Sequence, residues 1–378
     1  MISTGSWKIY NPSGKKRILA TGAFPGESWL EILSDAGYRI EVWVAEESLT
    51  GKGIIERLGS NCSAVIGQLT EKWDSRLLGL LKAAGGVAYC NFAVGYDNVD
   101  LEAATVNNIA VGNTPGVLTE ATAEMAVALT MACSRRINEA DEFTRAGRFK
   151  GWMPDLFLGK RLWRSTLGII GTGRIGSSYA RMMVRAFQMN LVCYDHKKNA
   201  GLETDLEAYN EYLLKTGSEK VDVTFAGSVN DVIMDADVLS LHVPLTAETR
   251  HMISKPQFLK MKPDAVLINT SRGAVINEAD LAEHCKIHPD FTAGLDVFEY
   301  EPIINEDIKR LPNVTMAPHI ASATRWTREN MSKLAALNVK GVIEGYPLWD
   351  KESIVPFLGD HPPGAIPSIL NKSVLTHP

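Results

Sequence analysis

Cysteine is scarce in this sequence, and its spacing forms no metal or redox motif. The cysteines include no Cys-x-x-Cys pair, and each lies in or beside an apolar stretch. Such thiols are typical of a protein core in a reducing compartment, so we expect neither a disulfide framework nor a metal site. The five are Cys62, Cys90, Cys133, Cys193 and Cys285.

The chain also lacks long apolar runs and blocks of basic residues. Gly, Pro or charged residues interrupt each apolar stretch before it reaches the length of a membrane span. Lysines and arginines are scattered, and the net charge is −5. We therefore expect no membrane and no nucleic acid among the partners.

Targeting signals are equally sparse. The N-terminal residues contain no apolar segment of the secretory type, and the last three are not Ser-Lys-Leu. This pattern predicts an intracellular protein of the mitochondrion or cytosol.

What the chain does contain is an alternation of short β-branched runs with helix-like stretches. A length of 378 residues allows two domains, each with its own core. The alternation predicts βαβ units and parallel sheets, and thus an α/β fold. The predicted strands begin at Arg17, Ile40, Ala64, Val87, Leu167, Leu191, Val238, Ala265 and Val314.

Three segments depart from this alternation. Residues 119–136 are rich in Ala and Met and predict a long helix, which we interpret as a connection between domains. Residues 327–345 predict a second long helix. Residues 199–228 are polar and predict an insertion in the second sheet, with a helix of its own over 205–215.

A glycine-rich turn, Gly171-Thr-Gly173-Arg174-Ile175-Gly176, lies between a predicted strand and a predicted helix. The next strand ends at Asp195, 19 residues after Gly176. A spacing of about 20 is expected between a dinucleotide-binding turn and the carboxylate that binds a ribose. The glycines would let the backbone approach a pyrophosphate at the helix N-terminus. The alternative is a tight turn without a ligand.

Asp195 also bears on the choice of cofactor. A carboxylate at the ribose would repel a 2′-phosphate, so NAD(H) is preferred and NADP(H) is the weaker alternative. Lys197 and Lys198 oppose this preference because they could attract a phosphate, although they also suit a solvated turn.

Three sets of polar residues follow apolar runs further along the chain: Arg272, the pair Glu299 and Glu301, and His319. Ligands of open α/β sheets bind outside the carboxyl ends of the strands, so these positions are expected to converge. Arginine offers a fork for a carboxylate, histidine can donate a proton, and a carboxylate can hold the imidazole. Each residue alone could equally form a surface ion pair or a turn.

These motifs together resemble the NAD-dependent D-isomer-specific 2-hydroxyacid dehydrogenases, and the resemblance extends over almost the whole chain. The matching stretches are the glycine turn, Asn269-Thr-Ser-Arg272-Gly, Gly294-Leu-Asp296-Val-Phe-Glu-Tyr-Glu301-Pro and Pro318-His319-Ile-Ala321.

The resemblance implies roles for these residues. Arg272 would clamp the carboxylate and keto oxygen of a small 2-oxoacid, and His319 would donate a proton as hydride arrives from C4 of the nicotinamide. Glu301 would raise the proton affinity of the imidazole. Besides the glycine turn, the implied cofactor contacts are Thr122, Asp195, His242, Pro244, Thr249, Thr270, Ser271, Arg272, Asp296, His319 and Ala321.

The resemblance also implies substrate contacts outside the triad. Val94 and Gly95 lie in a loop whose backbone N–H groups would receive the substrate carboxylate. Trp152 matches a tryptophan that some relatives direct toward the partner subunit's active site, and packing in a subunit interface is an equal alternative.

The implied architecture has two doubly wound domains. A Rossmann NAD-binding domain, 116–321, would be inserted into a flavodoxin-like substrate domain formed by 1–115 and 322–378. The helix predicted at 119–136 would serve dimerisation, so we expect a homodimer.

Within the family, the chain is most similar to the plant-type hydroxypyruvate reductases, which makes the peroxisome an alternative location. The implied activity is NADH-dependent reduction of hydroxypyruvate to D-glycerate, with glyoxylate as a slower substrate. Two rivals stay open: another D-2-hydroxyacid dehydrogenase, and an NADH-sensing corepressor or scaffold of the same fold.

Overall fold

A computed structural model describes residues 2–4 and 6–376 of the chain. The chain divides into two compact units, residues 1–118 with 323–378 and residues 119–322. The first boundary between the units follows Leu118, three residues after the expected position. The second follows Ser322, one residue after the expected position.

Strands and helices alternate through both units. The strands are β1 (Ile2–Thr4), β2 (Trp7–Tyr10), β3 (Lys16–Ala20), β4 (Tyr38–Trp43), β5 (Ala64–Gly67), β6 (Ala88–Asn91), β7 (Ala110–Gly112), β8 (Thr166–Ile170), β9 (Asn190–Tyr194), β10 (Val223–Phe225), β11 (Val238–Leu241), β12 (Val266–Asn269), β13 (Thr292–Leu295) and β14 (Val314–Met316). The helices are α1 (Ser28–Asp35), α2 (Gly51–Leu58), α3 (Ser75–Ala83), α4 (Leu101–Val106), α5 (Thr119–Ser134), α6 (Ile137–Arg145), α7 (Arg174–Phe187), α8 (Ala200–Lys215), α9 (Val229–Asp235), α10 (Lys255–Phe258), α11 (Glu278–Ile287), α12 (Glu306–Lys309) and α13 (Arg325–Glu344).

The sheet of the first unit has the order β1-β2-β4-β3-β5-β6-β7. Strands β3 to β7 are parallel, and their order corresponds to the flavodoxin-like arrangement 2-1-3-4-5. The hairpin β1–β2 adds to β4 in antiparallel orientation at one edge. The flavodoxin-like topology is therefore confirmed, with an antiparallel edge that was not predicted.

Side-chain caps fix where several helices of this unit begin. The carboxylate of Asp74 accepts a hydrogen bond from Leu77 N at 3.0 Å, and that of Asp100 accepts from Ala103 N at 2.9 Å. Thr324 caps α13 in the same way. The C-terminal segment joins this unit through Asn371, whose side chain accepts from Val111 N at 2.8 Å in β7.

The sheet of the second unit has the order β10-β9-β8-β11-β12-β13-β14, and its neighbouring strands all pair in parallel. This is the Rossmann order 3-2-1-4-5-6 with one more strand at the end. Successive residues of β12 enter different clusters: Leu267 packs with Phe258 and Leu281, and Ile268 packs with Tyr179 and other residues. The sheet is thus covered on both faces, which explains its nearly continuous apolar strands.

The polar segment 199–228 differs from its prediction. Its helix, α8, starts at Ala200 rather than 205 because Asn199 caps it and accepts from Leu202 N at 3.0 Å. The segment ends in β10, which pairs in parallel with β9. It is therefore a crossover that belongs to the sheet, and the prediction that it merely interrupts the sheet is corrected.

The long helix predicted at 119–136 is α5, which opens the second unit. Nine of its sixteen residues are buried, and it packs against α7, β12 and β13. Among the helices of the described residues, none is long and apolar enough to cross a membrane.

Candidate active site

Three neighbouring strands bring the predicted triad to one edge of the second sheet. Asn269 of β12 pairs with Leu295 of β13, which pairs with Met316 of β14. Arg272, Glu301 and His319 follow these strand ends by three, six and three residues. Because the strands are parallel and in register, all three residues leave the sheet at its carboxyl edge.

The turn that carries Arg272 is organised by Asn269, a buried residue at the end of β12. Its side-chain oxygen accepts from the amide of Ser271 at 3.0 Å and from the Ser271 hydroxyl at 2.8 Å. Its amide nitrogen donates to the carbonyl of Arg272 at 2.9 Å. Arg272 itself is half-buried, and its Nη1 donates to the Ser271 carbonyl at 2.8 Å.

Gly273 brings this turn against the loop that carries Glu301. A Cβ at Gly273 would overlap with the backbone of Phe298 and Glu299, so only glycine permits the approach. The positive charge of Arg272 is one of the influences that lower the pKa of Glu301. The two motifs are therefore coupled in space and in charge.

His319 and Glu301 form a direct pair, with 2.8 Å between Nδ1 of the imidazole and Oε2 of the carboxylate. The other oxygen of Glu301 accepts from Phe298 N at 2.9 Å. Burial opposes ionisation of Glu301, but the hydrogen bond and charge of His319 outweigh it, and the pKa of Glu301 lies below its usual value. About a third of each side chain is exposed, so the pair is open to a ligand.

Asp296 holds the loop that carries His319. One carboxylate oxygen accepts from Ile320 N at 2.7 Å, and the other accepts from Ala321 N at 2.8 Å. The carbonyl of Asp296 accepts from His319 N at 2.8 Å, and His319 has a φ of 55°. Burial raises the pKa of Asp296 despite these two amides. The structure thus gives Asp296 a positioning role, and its contact with the cofactor stays a prediction.

The two glutamates that the sequence left as a pair have separate partners. Glu299 lies 2.7 Å from Nε2 of His251, and its other oxygen accepts from Glu278 N at 3.3 Å. Glu278 in turn accepts from Glu299 N at 2.7 Å. His251 and Glu278 escaped the sequence analysis because neither belongs to a recognisable motif.

The glycine turn has the geometry that a dinucleotide needs. Gly171 has a φ of 94°, and a Cβ there would lie 2.8 Å from the carbonyl carbon of His242. A Cβ on Gly176 would overlap with the Gly171 carbonyl, so this glycine permits close packing of α7 on the turn. Gly173 faces open space at the start of α7, which leaves room for a pyrophosphate. Arg174, exposed, and Ile175 follow in the first turn of α7.

Asp195 lies at the end of β9, and its carboxylate accepts from Thr172 N of the glycine turn at 2.7 Å. Lys198 pairs with Glu203 of α8 at 2.6 Å, and Lys197 is exposed. Lys198 is therefore paired with a carboxylate, which agrees with the alternative of a solvated turn. The ribose contact of Asp195 stays a prediction.

Other predicted cofactor residues surround the same edge of the second sheet. Burial lowers the pKa of His242 to about 3, so this histidine is neutral near pH 7 and cannot supply a proton. Thr249 donates to the Pro244 carbonyl at 2.6 Å and fixes that loop. Thr122 is buried on α5.

The hydroxyl of Thr270 indicates whether these residues fit a bound dinucleotide. This hydroxyl is buried, and no hydrogen-bond partner reaches it from the part of the chain that the structure describes. A buried hydroxyl without a partner is costly, so a ligand atom at this position would satisfy it. Together with the open space at Gly173, this fits a bound dinucleotide.

The loop with Val94 and Gly95 lies in the first unit, after β6. Asn91 donates to the Gly95 carbonyl at 2.7 Å, and Asn113 donates to the Val94 carbonyl at 2.9 Å. Asn98, in the same loop, donates to the Glu71 carbonyl at 2.9 Å. Burial raises the pKa of Glu71 to about 7. This supporting network was missed because its members are far apart in the sequence.

Trp152 follows α6 in the second unit, and 84% of it is exposed. Within the described residues, no group of three His, Cys, Asp or Glu side chains could hold a metal ion.

Comparison with known proteins gives a consistent result. The model of the D-isomer specific 2-hydroxyacid dehydrogenase NAD binding domain matches residues 127–321. The glycerate dehydrogenase of Arabidopsis thaliana is 48% identical over 100% of this chain and 99% of its own length, and that of Cucumis sativus is 48% identical over 97% of both chains. A glyoxylate reductase of Thermococcus litoralis is 38% identical over 96% of this chain and 98% of its own.

Solved structures agree with these relatives. A crystal structure of a Thermus thermophilus protein superimposes with a TM-score of 0.76 and 34% identity, over 87% of this chain and 97% of that one.

The Arabidopsis relative is named peroxisomal. The mitochondrial or cytosolic location expected for this chain stays a prediction.

The close approach at Gly273 predicts the effect of Gly273→Ala. The added methyl group must displace the backbone of Phe298 and Glu299, so the free energy of unfolding should fall by about 2–3 kcal/mol. Urea unfolding of the second unit measures this change. Gly201→Ala is the matched control, because a Cβ at Gly201 meets only Asn199 Oδ1 at 3.4 Å. Equal stability of the two variants would contradict the proposed packing.

Proposed function

The chain belongs to the D-isomer specific 2-hydroxyacid dehydrogenase family, and on that premise we propose that it reduces hydroxypyruvate to D-glycerate with NADH. The observation that carries the proposal is the pair of His319 and Glu301, 2.8 Å apart, beside the strand end that carries Arg272. The glycerate dehydrogenases with 48% identity over nearly the whole chain support hydroxypyruvate as the substrate. Glyoxylate, reduced to glycolate, would be a slower substrate, as the similarity to a glyoxylate reductase suggests.

Arg272 would hold the substrate. A guanidinium presents parallel donors that match a carboxylate and a neighbouring keto oxygen, which a lysine cannot do. The turn fixed by Asn269 and Gly273 limits the motion of the arginine backbone. Hydroxypyruvate and glyoxylate offer the same two groups, and they differ in the hydroxymethyl group that glyoxylate lacks.

His319 would supply the proton to the keto oxygen. Its Nδ1 is taken up by Glu301, which leaves Nε2 as the atom that faces the substrate. The ionised carboxylate of Glu301 stabilises the charged imidazole and fixes its orientation. Asp296 keeps the loop in place through the amides of Ile320 and Ala321.

The cofactor would bind along the carboxyl edge of the second sheet. Its pyrophosphate would lie at the turn of Gly171, Gly173 and Gly176, and Thr270 would offer its unpaired hydroxyl. The bound nicotinamide supplies the hydride of the reduction. Asp195 at the ribose favours NADH over NADPH, because a carboxylate repels a 2′-phosphate.

We also propose that the enzyme is a homodimer. Single exposed apolar side chains are common on protein surfaces, but here six large ones are exposed within 27 residues of the second unit. Such a concentration marks a surface that binds another protein. These side chains lie on α6 and the segment after it, whereas exposed positions of α5 include Glu120 and Glu124. A second copy of the chain would cover this surface, hereafter the 137–163 surface. The six are Ile137, Phe149, Trp152, Met153, Leu158 and Trp163.

A steady-state assay tests the activity. We expect turnover with hydroxypyruvate and NADH, slower turnover with glyoxylate, and weaker use of NADPH. His319→Gln should lower kcat by a factor of about 10²–10⁴ because the proton donor is lost, with NADH affinity nearly unchanged. Negligible turnover of the unaltered chain would instead favour a sensor or scaffold, and preference for another 2-oxoacid would favour a different dehydrogenase.

The pH profile tests Glu301. Glu301→Gln removes the anion that is paired with the proposed proton donor, so it should move the optimum of reduction down by about one pH unit. Glu299→Gln is the matched control, because Glu299 pairs with His251 and should not shift the optimum. A Glu301→Gln profile that coincides with the unaltered profile would remove Glu301 from this role.

Sedimentation tests the dimer. Trp152→Glu places a charge on the 137–163 surface, so it should move the protein from dimer toward monomer. Trp326→Glu is the control, since Trp326 is 58% exposed but lies in the first unit. A monomeric unaltered protein would refute the homodimer, and a dimer that tolerates Trp152→Glu would show that the 137–163 surface is not its interface.

A further inference from the structure

The first unit contains a cleft at the amino edge of its sheet. The cleft is lined by the residues before β3, the start of β4 and the end of α2. The loop with Val94 and Gly95 follows the carboxyl end of β6, which runs parallel to β3 through β5. The cleft therefore lies at the sheet edge opposite to that loop and has no part in the function proposed above.

Three arginines converge on one buried carboxylate in this cleft. Glu41 is 3% exposed, and its oxygens lie 3.1 Å from Arg17 Nη1, 2.7 Å from Arg39 Nε and 2.6 Å from Arg57 Nε. Burial disfavours the ionised carboxylate, but the three guanidinium groups prevail and lower the pKa of Glu41. A single carboxylate cannot neutralise three cations, so positive charge remains.

The arginines are held in place by further contacts. Arg17 donates to the carbonyl of Arg57 at 3.0 Å and to those of Leu58 and Asn61, at the end of α2. The Arg57 guanidinium lies 4.6 Å from the centre of the Trp7 ring. Arg39 also donates to the Pro12 carbonyl at 3.2 Å. The cluster is thus organised before any ligand arrives, which reduces the entropy lost on binding.

The size and charge of the cleft suit a small anion. Its volume is about 510 Å³. Lys15 adds a cation and Glu56 an anion at the rim, so four basic and two acidic side chains leave a net formal charge of +2. The whole chain, in contrast, carries −5. The side chains of Arg39 and Arg57 are 31% and 28% exposed, so ligand can reach them.

We propose that this cleft is a second ligand site, which binds a small metabolite with several oxyanion charges, either a phosphate compound or a polycarboxylate. Both ligand types present oxygen pairs that match the edges of guanidinium groups. Pro12 and Gly14, which lie between β2 and β3, form part of its wall.

Calorimetric titration at low salt tests the site, with pyrophosphate and citrate as separate probes. Lys15→Glu should weaken binding about tenfold, because it reverses a rim charge without removing an internal contact of Glu41. Glu56→Gln should tighten binding two- to threefold, on the order expected for removing one exposed charge. Lys82→Glu is the matched control, since Lys82 is exposed on α3 and does not line the cleft.

The directions of these changes separate the outcomes. Opposite shifts for Lys15→Glu and Glu56→Gln, with Lys82→Glu unchanged, would support the site. The tighter probe would then identify the phosphate or the polycarboxylate class. An absence of saturable binding, or binding that ignores both rim variants, would show that the arginines serve only to neutralise Glu41 and would overturn the proposal.

Discussion

The parallel register of β12, β13 and β14 is the constraint on which the active site depends. It aligns Asn269, Leu295 and Met316, so the three residues proposed to act in the reaction emerge from adjacent strand ends. Sheet geometry alone would leave them on separate turns. Gly273 closes the remaining gap, because the lack of a side chain lets the Arg272 turn touch the backbone that leads to Glu301. The Gly273 contact therefore adds a backbone constraint between the two turns, in addition to the hydrogen bond between His319 and Glu301.

The carboxylates along the carboxyl edge of the second sheet have different structural roles because each accepts hydrogen bonds from different donors. Glu301 faces an imidazole and one amide, Asp296 faces two amides, and Glu299 faces His251 and the start of α11. Asp296 and Glu299 are largely committed to holding loops. Glu301 combines a loop contact through one oxygen with the histidine contact through the other. Glu301 thus connects His319 to the backbone of the loop that follows β13.

The sequence was sufficient for the fold class, because strands and helices alternate along the whole chain, and for the glycine turn, because its motif lies within one short stretch. The triad was predicted by combining three separate stretches with a family resemblance, and its catalytic role stays a prediction. Spacing alone does not separate Glu299 from Glu301, since residues two apart in an irregular loop have no fixed periodicity, and the family resemblance selected Glu301. The strands β1, β2, β7, β10 and β13 are absent from the predicted strands, and each has only three or four residues, which gives a weak periodic pattern. Glu71 and the arginines around Glu41 were also missed, since only folding brings their elements together.

An acidic chain that acts on acidic substrates must place its cations locally. The net charge of −5 on average repels the anion of a small 2-oxoacid from the protein surface. Arg272 places a cation at one strand end, where its charge adds to the hydrogen bond and charge of His319 in lowering the pKa of Glu301. The cluster around Glu41 does the same at the other sheet, where three guanidinium groups outnumber one carboxylate. In both places backbone carbonyls hold an arginine, so its charge is available in a fixed geometry for the proposed ligand.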